Sequence, residues 1–257
     1  MKICFHKYSG AGNDFIIVDD RLEVFPEYNA PLIQRMCDRH FGVGSDGMML
    51  IKSHPTLDFE MVFFNPDASK SLCGNGSRCA VHLARELGLA STKGRFLTTD
   101  GVHQYQFMEE PLVQISMSEV NSLLDVKGHK FLDTGSPHLI ICVDELENYD
   151  VLGEGRKWRY HKEFEARSGA NVNFIKKLSE TEIEIRTFER GVEGETLSCG
   201  TGVTAAALAT AVSGYQKKTV HTRGGTLYVE FIATEEGYQN IWLTGPVLKT
   251  FEGVFYA

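Results

Sequence analysis

Cys73-Gly74-Asn75-Gly76-Ser77-Arg78-Cys79, echoed in part by Cys199-Gly200-Thr201-Gly202, is the stretch on which the reading of this chain turns. In both places a cysteine is followed by glycine, a small polar residue and glycine, and an alanine-rich segment that reads as a helix comes next. A helix start leaves several backbone N–H groups without an intrahelical acceptor, and the aligned peptide dipoles add partial positive charge. Glycines there let a carboxylate or phosphate approach the main chain closely. The same field favours the thiolate of a cysteine over its thiol. One such turn is a weak signal, whereas two of them half a chain apart predict a pair of half-sites facing each other across a cleft.

Working outward from the first turn, residues 2–7 and 15–19 read as strands joined by Ser9-Gly10-Ala11-Gly12-Asn13-Asp14, whose polar groups can face a ligand. Apolar spacing predicts a helix from Pro31 to Phe41 with Cys37 in the core. Strands follow at 48–52 and 57–64, the second ending at Asn65-Pro66-Asp67 beside the first thiol turn. The helix from Gly74 to about Leu87 stops at Gly88 and places Cys79 inward. Strands at 95–100, 103–108 and 112–117 complete this half, with Asp100-Gly101 marking a hairpin.

The pattern restarts after residue 117. Strands are expected near 128–134, at 138–143 with Cys142 as a core residue, at 171–176 and at 182–188. A polar helix or two should occupy 145–165. Residues 189–196 read as a loop, and a helix from Val203 to about Val212 as ending at Gly214. Strands at 218–222, 226–232 and 239–243 close the half. The expected fold is therefore α/β, with two pseudo-symmetric halves at 1–117 and 118–245, each carrying one thiol turn, and with 246–257 returning to the first half.

Bulk properties narrow the function. A composition of 42% hydrophobic and 23% charged residues is that of a globular protein, and 257 residues are enough for two cores. The formal charge of −8, with no basic cluster, argues against nucleic acid as a partner. No apolar run reaches membrane-spanning length and the start lacks the apolar core of a signal peptide, so no membrane association and a cytoplasmic location are expected. Six scattered cysteines without a Cys-x-x-Cys pair predict neither a disulfide framework nor a metal site.

Taken in order, Lys7 to Phe15, Phe64-Asn65-Pro66-Asp67, Cys73 to Cys79, Pro137-His138, Asn171-Val172-Asn173-Phe174, Glu189-Arg190-Gly191 and Glu195 to Gly202 form a set that resembles the diaminopimelate epimerase family over nearly the whole chain. The resemblance implies two halves, each a curved, mostly antiparallel sheet wrapped around a central helix, with the site between them. It implies cofactor-independent epimerisation of LL-2,6-diaminopimelate to the meso form, on the way to lysine and peptidoglycan precursors. Cys73 and Cys199 are then the catalytic acid and base, one thiol and one thiolate, which fits the need to remove a proton from one face of a carbon and deliver one to the other. By the same resemblance, backbone N–H groups at Gly74, Asn75, Gly200 and Thr201 hold the α-carboxylate. Asn65, Asn171 and Arg190 hold the distal end, with Arg190 on its carboxylate and Glu189 near its ammonium. Asn13 joins the substrate-binding set, and His138 and Glu189 lie close to the thiols as supporting groups. The implied partner is a small diamino-dicarboxylic acid, with no metal and no cofactor, and a homodimer is a further expectation.

Three departures from the family pattern stand out. Ser136 replaces an asparagine in Gly-Asn-Pro-His, Gly47 stands where glutamine is frequent, and Ala68 stands where glycine is usual. Ser136 keeps a hydrogen-bonding group and Gly47 does not. The alternatives are a related cofactor-free racemase of another amino acid, a thiol redox protein, and a protein that only holds an anion. Deuterium uptake at an amino-acid α-carbon separates the first from the other two.

Overall fold

The computed structural model describes all 257 residues, Met1–Ala257, which group into two compact units, Met1–Ile115 with Gly245–Ala257, and Ser116–Thr244. In the first unit, β1 (Lys2–Gly10) and β2 (Asn13–Asp19) form an antiparallel hairpin over Ala11-Gly12, both at positive φ. A helix, α1 (Ala30–Cys37), leads to β3 (Gly47–Lys52), which lies parallel to β2, and β4 (Phe59–Phe64) returns antiparallel. The second helix, α2 (Gly74–Glu86), crosses over to β5 (Lys93–Thr98), parallel to β4, and β6 (Gly101–Phe107) and β7 (Leu112–Ser116) meander antiparallel.

The second unit repeats this plan. Its strands β8 (Leu124–Val126), β9 (His129–Asp133) and β10 (Pro137–Cys142) are antiparallel neighbours. Helix α3 (Val151–Arg159) and a 3-10 segment (Lys162–Arg167) cross to β11 (Asn171–Lys177), parallel to β10, and β12 (Glu182–Glu189) returns antiparallel. A short β13 (Gly194–Thr196) lies beside β12 before α4 (Gly200–Ala209) crosses to β14 (Gly214–Thr222), which is parallel to β12. β15 (Gly225–Thr234) and β16 (Gly237–Pro246) finish it. The chain then returns to the first unit as β17 (Leu248–Tyr256), antiparallel to β1. Each unit thus has two parallel joints, each bridged by a helical crossover as parallel strands require, and each second crossover helix begins just after a thiol turn.

The central helices owe their existence to burial more than to propensity. Gly200, Thr201, Gly202 and Thr204 are poor helix formers, with glycine about 1 kcal/mol worse than alanine, yet every residue of α4 through Leu208 is buried. Fully burying Val203 and Leu208, at roughly 1.5–3 kcal/mol each, offsets that deficit. The outer helices cover further cores. Leu32, Ile33 and Met36 of α1 pack with Phe5, Ile16, Met48 and Phe64, and Val151 of α3 packs with Phe131, Leu139, Phe174 and Phe188. No helix is long and apolar enough to cross a membrane.

Several boundaries differ from the expected ones. α1 stops at Cys37 because Asp38 is extended (ψ 128°) and its Oδ1 accepts from the N–H groups of His40 and Phe41, 2.7 Å each, which turns the chain away. α4 starts at Gly200 and stops at Ala209. There the Thr210 hydroxyl donates to the carbonyls of Ala206 and Ala207 at 3.0 and 3.1 Å, and Gly214 opens a strand instead of closing the helix. β8 and β13 are three-residue pieces whose only signal is their pairing with a neighbour. Cys37 and Cys79 are buried as expected, but Cys142 is exposed. It lies at the last position of β10, beyond the final pair with β9 at Ile140.

Ala68, where the family usually has glycine, sits at φ 70° in a turn in which its N–H donates to Asn65 O at 2.9 Å. A Cβ in the left-handed region costs on the order of 1 kcal/mol. Ala68→Gly is expected to raise stability by about 0.5 kcal/mol after the larger unfolded-state entropy of glycine is subtracted, read as a higher urea midpoint at unchanged slope.

Candidate active site

Cys73 and Cys199 occupy equivalent places, each the N-cap residue of its unit's central helix, with backbone angles of −132°, 107° and −129°, 110°. In both, the cysteine carbonyl accepts the first helical hydrogen bond at 2.8 Å, from Ser77 N–H and Val203 N–H. Cys73 is half-buried and its Sγ accepts from Gly76 N–H at 3.4 Å; Cys199 is buried, with Thr201 Oγ1 3.4 Å from its Sγ. The N–H groups of Gly74, Asn75, Gly200 and Thr201 belong to the first turns of α2 and α4.

Around Cys73 the polar groups form a connected frame. Asn75 Nδ2 donates to Asn13 Oδ1 at 2.6 Å, and Asn13 Nδ2 donates to Asp46 Oδ2 at 3.0 Å. Arg39 bridges Asp46 and Asp14 at 2.7 and 2.8 Å, and Lys7 reaches Asp14 at 2.5 Å. Burial works against the Asp14 carboxylate, but hydrogen bonds from Arg39 and Lys7 outweigh it and hold the group below its ordinary range. Asn13 is therefore locked to the helix start through its amide oxygen. Asn65 lies in the turn before the thiol, donating to the hydroxyls of Ser69 and Ser71 at 2.9 and 3.1 Å.

Arg78 carries no assignment from the sequence, yet its side chain is wholly buried (0% exposed). Its Nη2 donates to Asn75 Oδ1 at 2.8 Å and its Nη1 to Gly74 O at 3.3 Å, while Nε has no partner. Burial lowers its pKa to about 10, so it remains a cation at neutral pH, next to the N-terminus of α2. Cys79, behind it, is driven up to about 12 by burial and stays a neutral thiol. Gly47 also has a physical reason. A Cβ there would lie 2.5 Å from the Phe63 ring, so that aromatic fills the space a longer residue would take.

Around Cys199 the groups are packed more tightly. His138 is fully buried, with Nε2 2.9 Å from both Thr201 Oγ1 and Ser136 Oγ, and Nδ1 3.1 Å from Asn173 Nδ2. Asn173 Nδ2 also donates to Leu139 O at 3.1 Å, and its Oδ1 accepts from Thr187 Oγ1 at 2.9 Å. Gly202 backs onto this amide, since a Cβ there would sit 2.5 Å from Asn173 Oδ1. Asn171 donates to Ser136 Oγ and Pro137 O at 3.2 and 3.1 Å and accepts from Arg190 N–H at 2.8 Å, which ties the loop after β12 to the start of β10. Glu189 Oε2 accepts from Thr196 Oγ1 at 2.8 Å, and Arg190 Nη1 donates to Arg167 O at 3.1 Å. Within the second unit the structure thus joins His138, Thr201 and Cys199 directly, and Asn171 to Arg190. The first unit joins Asn13 to Asn75, while Asn65 bonds only to its own turn. No group of three or more His, Cys, Asp or Glu side chains converges as a metal site.

Burial, followed by the charge of Arg190, lowers the His138 pKa from 6.5 to about 3. The unfolded chain therefore binds a proton between those values that the folded chain refuses, so this residue's contribution to stability is lost as pH falls through 6.5 towards 3. Partial burial of His6 and His82 lowers their pKa values as well, so they act with the same sign. Between pH 7 and pH 5 the wild-type chain should lose about 2 kcal/mol through His138 alone. Urea titrations at the two pH values should show that loss reduced by about this amount in His138→Gln.

Residues 5–122 and 131–249 match the model of the diaminopimelate epimerase family. The chain is 43% identical over 251 residues to a diaminopimelate epimerase of Flavobacterium psychrophilum, covering 96% of this chain and 98% of that one. Among solved structures it is similar to a phenazine biosynthesis protein of the PhzF family from Bacillus anthracis (TM-score 0.77, 16% identity, all of both chains). It is also similar to a hydroxyproline epimerase from Agrobacterium vitis (TM-score 0.71, 14% identity, 98% of this chain and 92% of that one). At such identities these two likenesses carry the fold alone.

Proposed function

Because the chain belongs to the diaminopimelate epimerase family and is an isomerase, we propose that it interconverts LL- and meso-2,6-diaminopimelate by two-thiol acid–base chemistry without a cofactor, supplying lysine and peptidoglycan precursor biosynthesis. The observation that carries the reading is the pair of cysteines with matching backbone angles, each at the start of its own buried helix. One thiolate removes the α-proton and the other thiol protonates the opposite face, and the roles exchange in the reverse direction. Negative charge moves onto the α-carboxylate as the proton leaves. In this reading, first-turn N–H groups of α2 and α4, aided by the helix dipoles, stabilise this transition state more than the ground state. Arg190 takes the distal carboxylate, Glu189 the distal ammonium, and Asn65 and Asn171 complete the distal contacts. The buried Arg78 cation adds positive potential on the Cys73 side without meeting the substrate.

The test is incubation of the purified protein with LL-diaminopimelate in heavy water. Formation of the meso isomer with one deuterium at the inverted carbon is the expected result. No turnover of diaminopimelate, with exchange into proline or hydroxyproline instead, would overturn the substrate and favour the related racemases that share this fold.

A further inference from the structure

We infer that Asn173 is a positioning residue that fixes which nitrogen of His138 carries the proton, so that the imidazole acts on Cys199 as a hydrogen-bond donor through the Thr201 hydroxyl and not as its base. The inference rests on the two-thiol reading of the site.

The argument starts from a carbonyl. Leu139 O can only accept, so the Asn173 atom 3.1 Å from it must be the amide nitrogen. Thr187 Oγ1, 2.9 Å from the other amide atom, agrees with that orientation as a donor to Oδ1. The amide is thus held from two sides, and the same nitrogen lies 3.1 Å from His138 Nδ1. Its second hydrogen meets the ring there, so Nδ1 must present a lone pair. A ring with no exposed surface and a donor on Nδ1 is neutral, and its single proton is on Nε2.

That N–H faces two hydroxyls, Thr201 Oγ1 and Ser136 Oγ, each at 2.9 Å. Ser136 and Thr201 are themselves 3.3 Å apart, and Asn171 already donates to Ser136. Whether the imidazole proton goes to Thr201 directly or through Ser136, Nε2 offers no lone pair to the Thr201 hydroxyl. The hydroxyl proton is then available to the sulfur 3.4 Å away. The resulting chain runs from Asn173 to His138 to Thr201 to Cys199, and every link donates toward sulfur. Such a chain stabilises the thiolate of Cys199 whenever it forms. Its tightness explains the bare Gly202, because a side chain there would push Asn173 out of register. The family resemblance gives a role to Asn171 and none to Asn173, whose partners appear only with the strand pairing.

The test begins with the wild-type protein labelled with ¹⁵N in its histidines. Nitrogen spectra at neutral pH should show His138 with a bare Nδ1 and a protonated Nε2. A proton on Nδ1, or an imidazolium, would overturn the proposal whatever the activity. Asn173→Asp removes the donor and offers an acceptor, and should move the proton to Nδ1.

For the last link, Thr201→Val should slow alkylation of Cys199, followed by peptide mapping, by about tenfold or more and lower kcat by a similar factor with little change in KM. Thr201→Ser should restore both, and Ser136 remains to satisfy Nε2 in the valine variant. Wild-type alkylation of Cys199 in Thr201→Val would overturn the relay. If instead the wild-type chain fails to epimerise diaminopimelate while the spectra and alkylation rates come out as expected, the substrate assignment fails and the relay stands.

Discussion

Replacing either Cys73 or Cys199 with alanine is expected to lower epimerisation at least about 1,000-fold while leaving the fold intact. The size of the effect follows from the reaction proposed. Inversion needs one group on each face of the α-carbon, and in the proposed reaction each of the two cysteines, the N-cap residues of α2 and α4, serves one face. General acid or base catalysis by one positioned group is worth roughly 100- to 10,000-fold, and loss of either should stop the net proton exchange. The structural cost is small. The hydrogen bond from Gly76 N–H to Cys73 Sγ is a long one at 3.4 Å, and losing such a cap costs about 0.5–1 kcal/mol. Cys79→Ala is the control. Its thiol is fully buried, neutral and packed away from solvent, so the variant should lose about 1 kcal/mol of stability and keep most of its activity. Steady-state rates with LL-diaminopimelate, together with thermal melts of all three variants, decide the matter. A Cys199→Ala protein that epimerises near the wild-type rate would mean that the two-thiol mechanism is wrong.

Air oxidation is expected to produce an effect of similar size by a different route. If the two sulfurs serve opposite faces of one α-carbon, as proposed, they must be able to approach each other when that carbon is absent, and a thiolate is the attacking species in disulfide formation. The purified protein should therefore lose nearly all activity in air through a Cys73–Cys199 cross-link, regain it with a thiol reductant, and be protected by bound substrate. Oxidation transfers two electrons and two protons from the thiol pair to dissolved oxygen, giving the disulfide and hydrogen peroxide. Mass spectrometry of a non-reduced digest is the measurement. An inactive, oxidised sample without the Cys73–Cys199 peptide would show that the two helix starts do not converge on one carbon.

What was legible in the sequence, and what was not, divides along the range of the interactions. Cys-Gly-x-Gly at two helix starts, the alternation of strands and the hairpin at Asp100-Gly101 all arise from backbone geometry within a few residues or from simple periodicity. The sequence by itself therefore determined the α/β repeat and the family, and it named the two cysteines as the groups to test. Element ends were less secure because they depend on side chains that cap them, as Asp38 and Thr210 do.

Tertiary structure alone decided the surroundings of the thiols. Arg78 has no role in the sequence reading until its burial beside Asn75 is known. Gly47 reads as a missing hydrogen-bonding group until Phe63 is seen to fill its place, and Cys142 reads as core until its exposure at the end of β10 is seen. The order of donors from Asn173 to Cys199 joins residues 35 and 63 positions apart. Hydrogen bonds across such separations leave no period or spacing in a sequence, because they exist only once parallel pairing of β10 with β11 has set one residue against another.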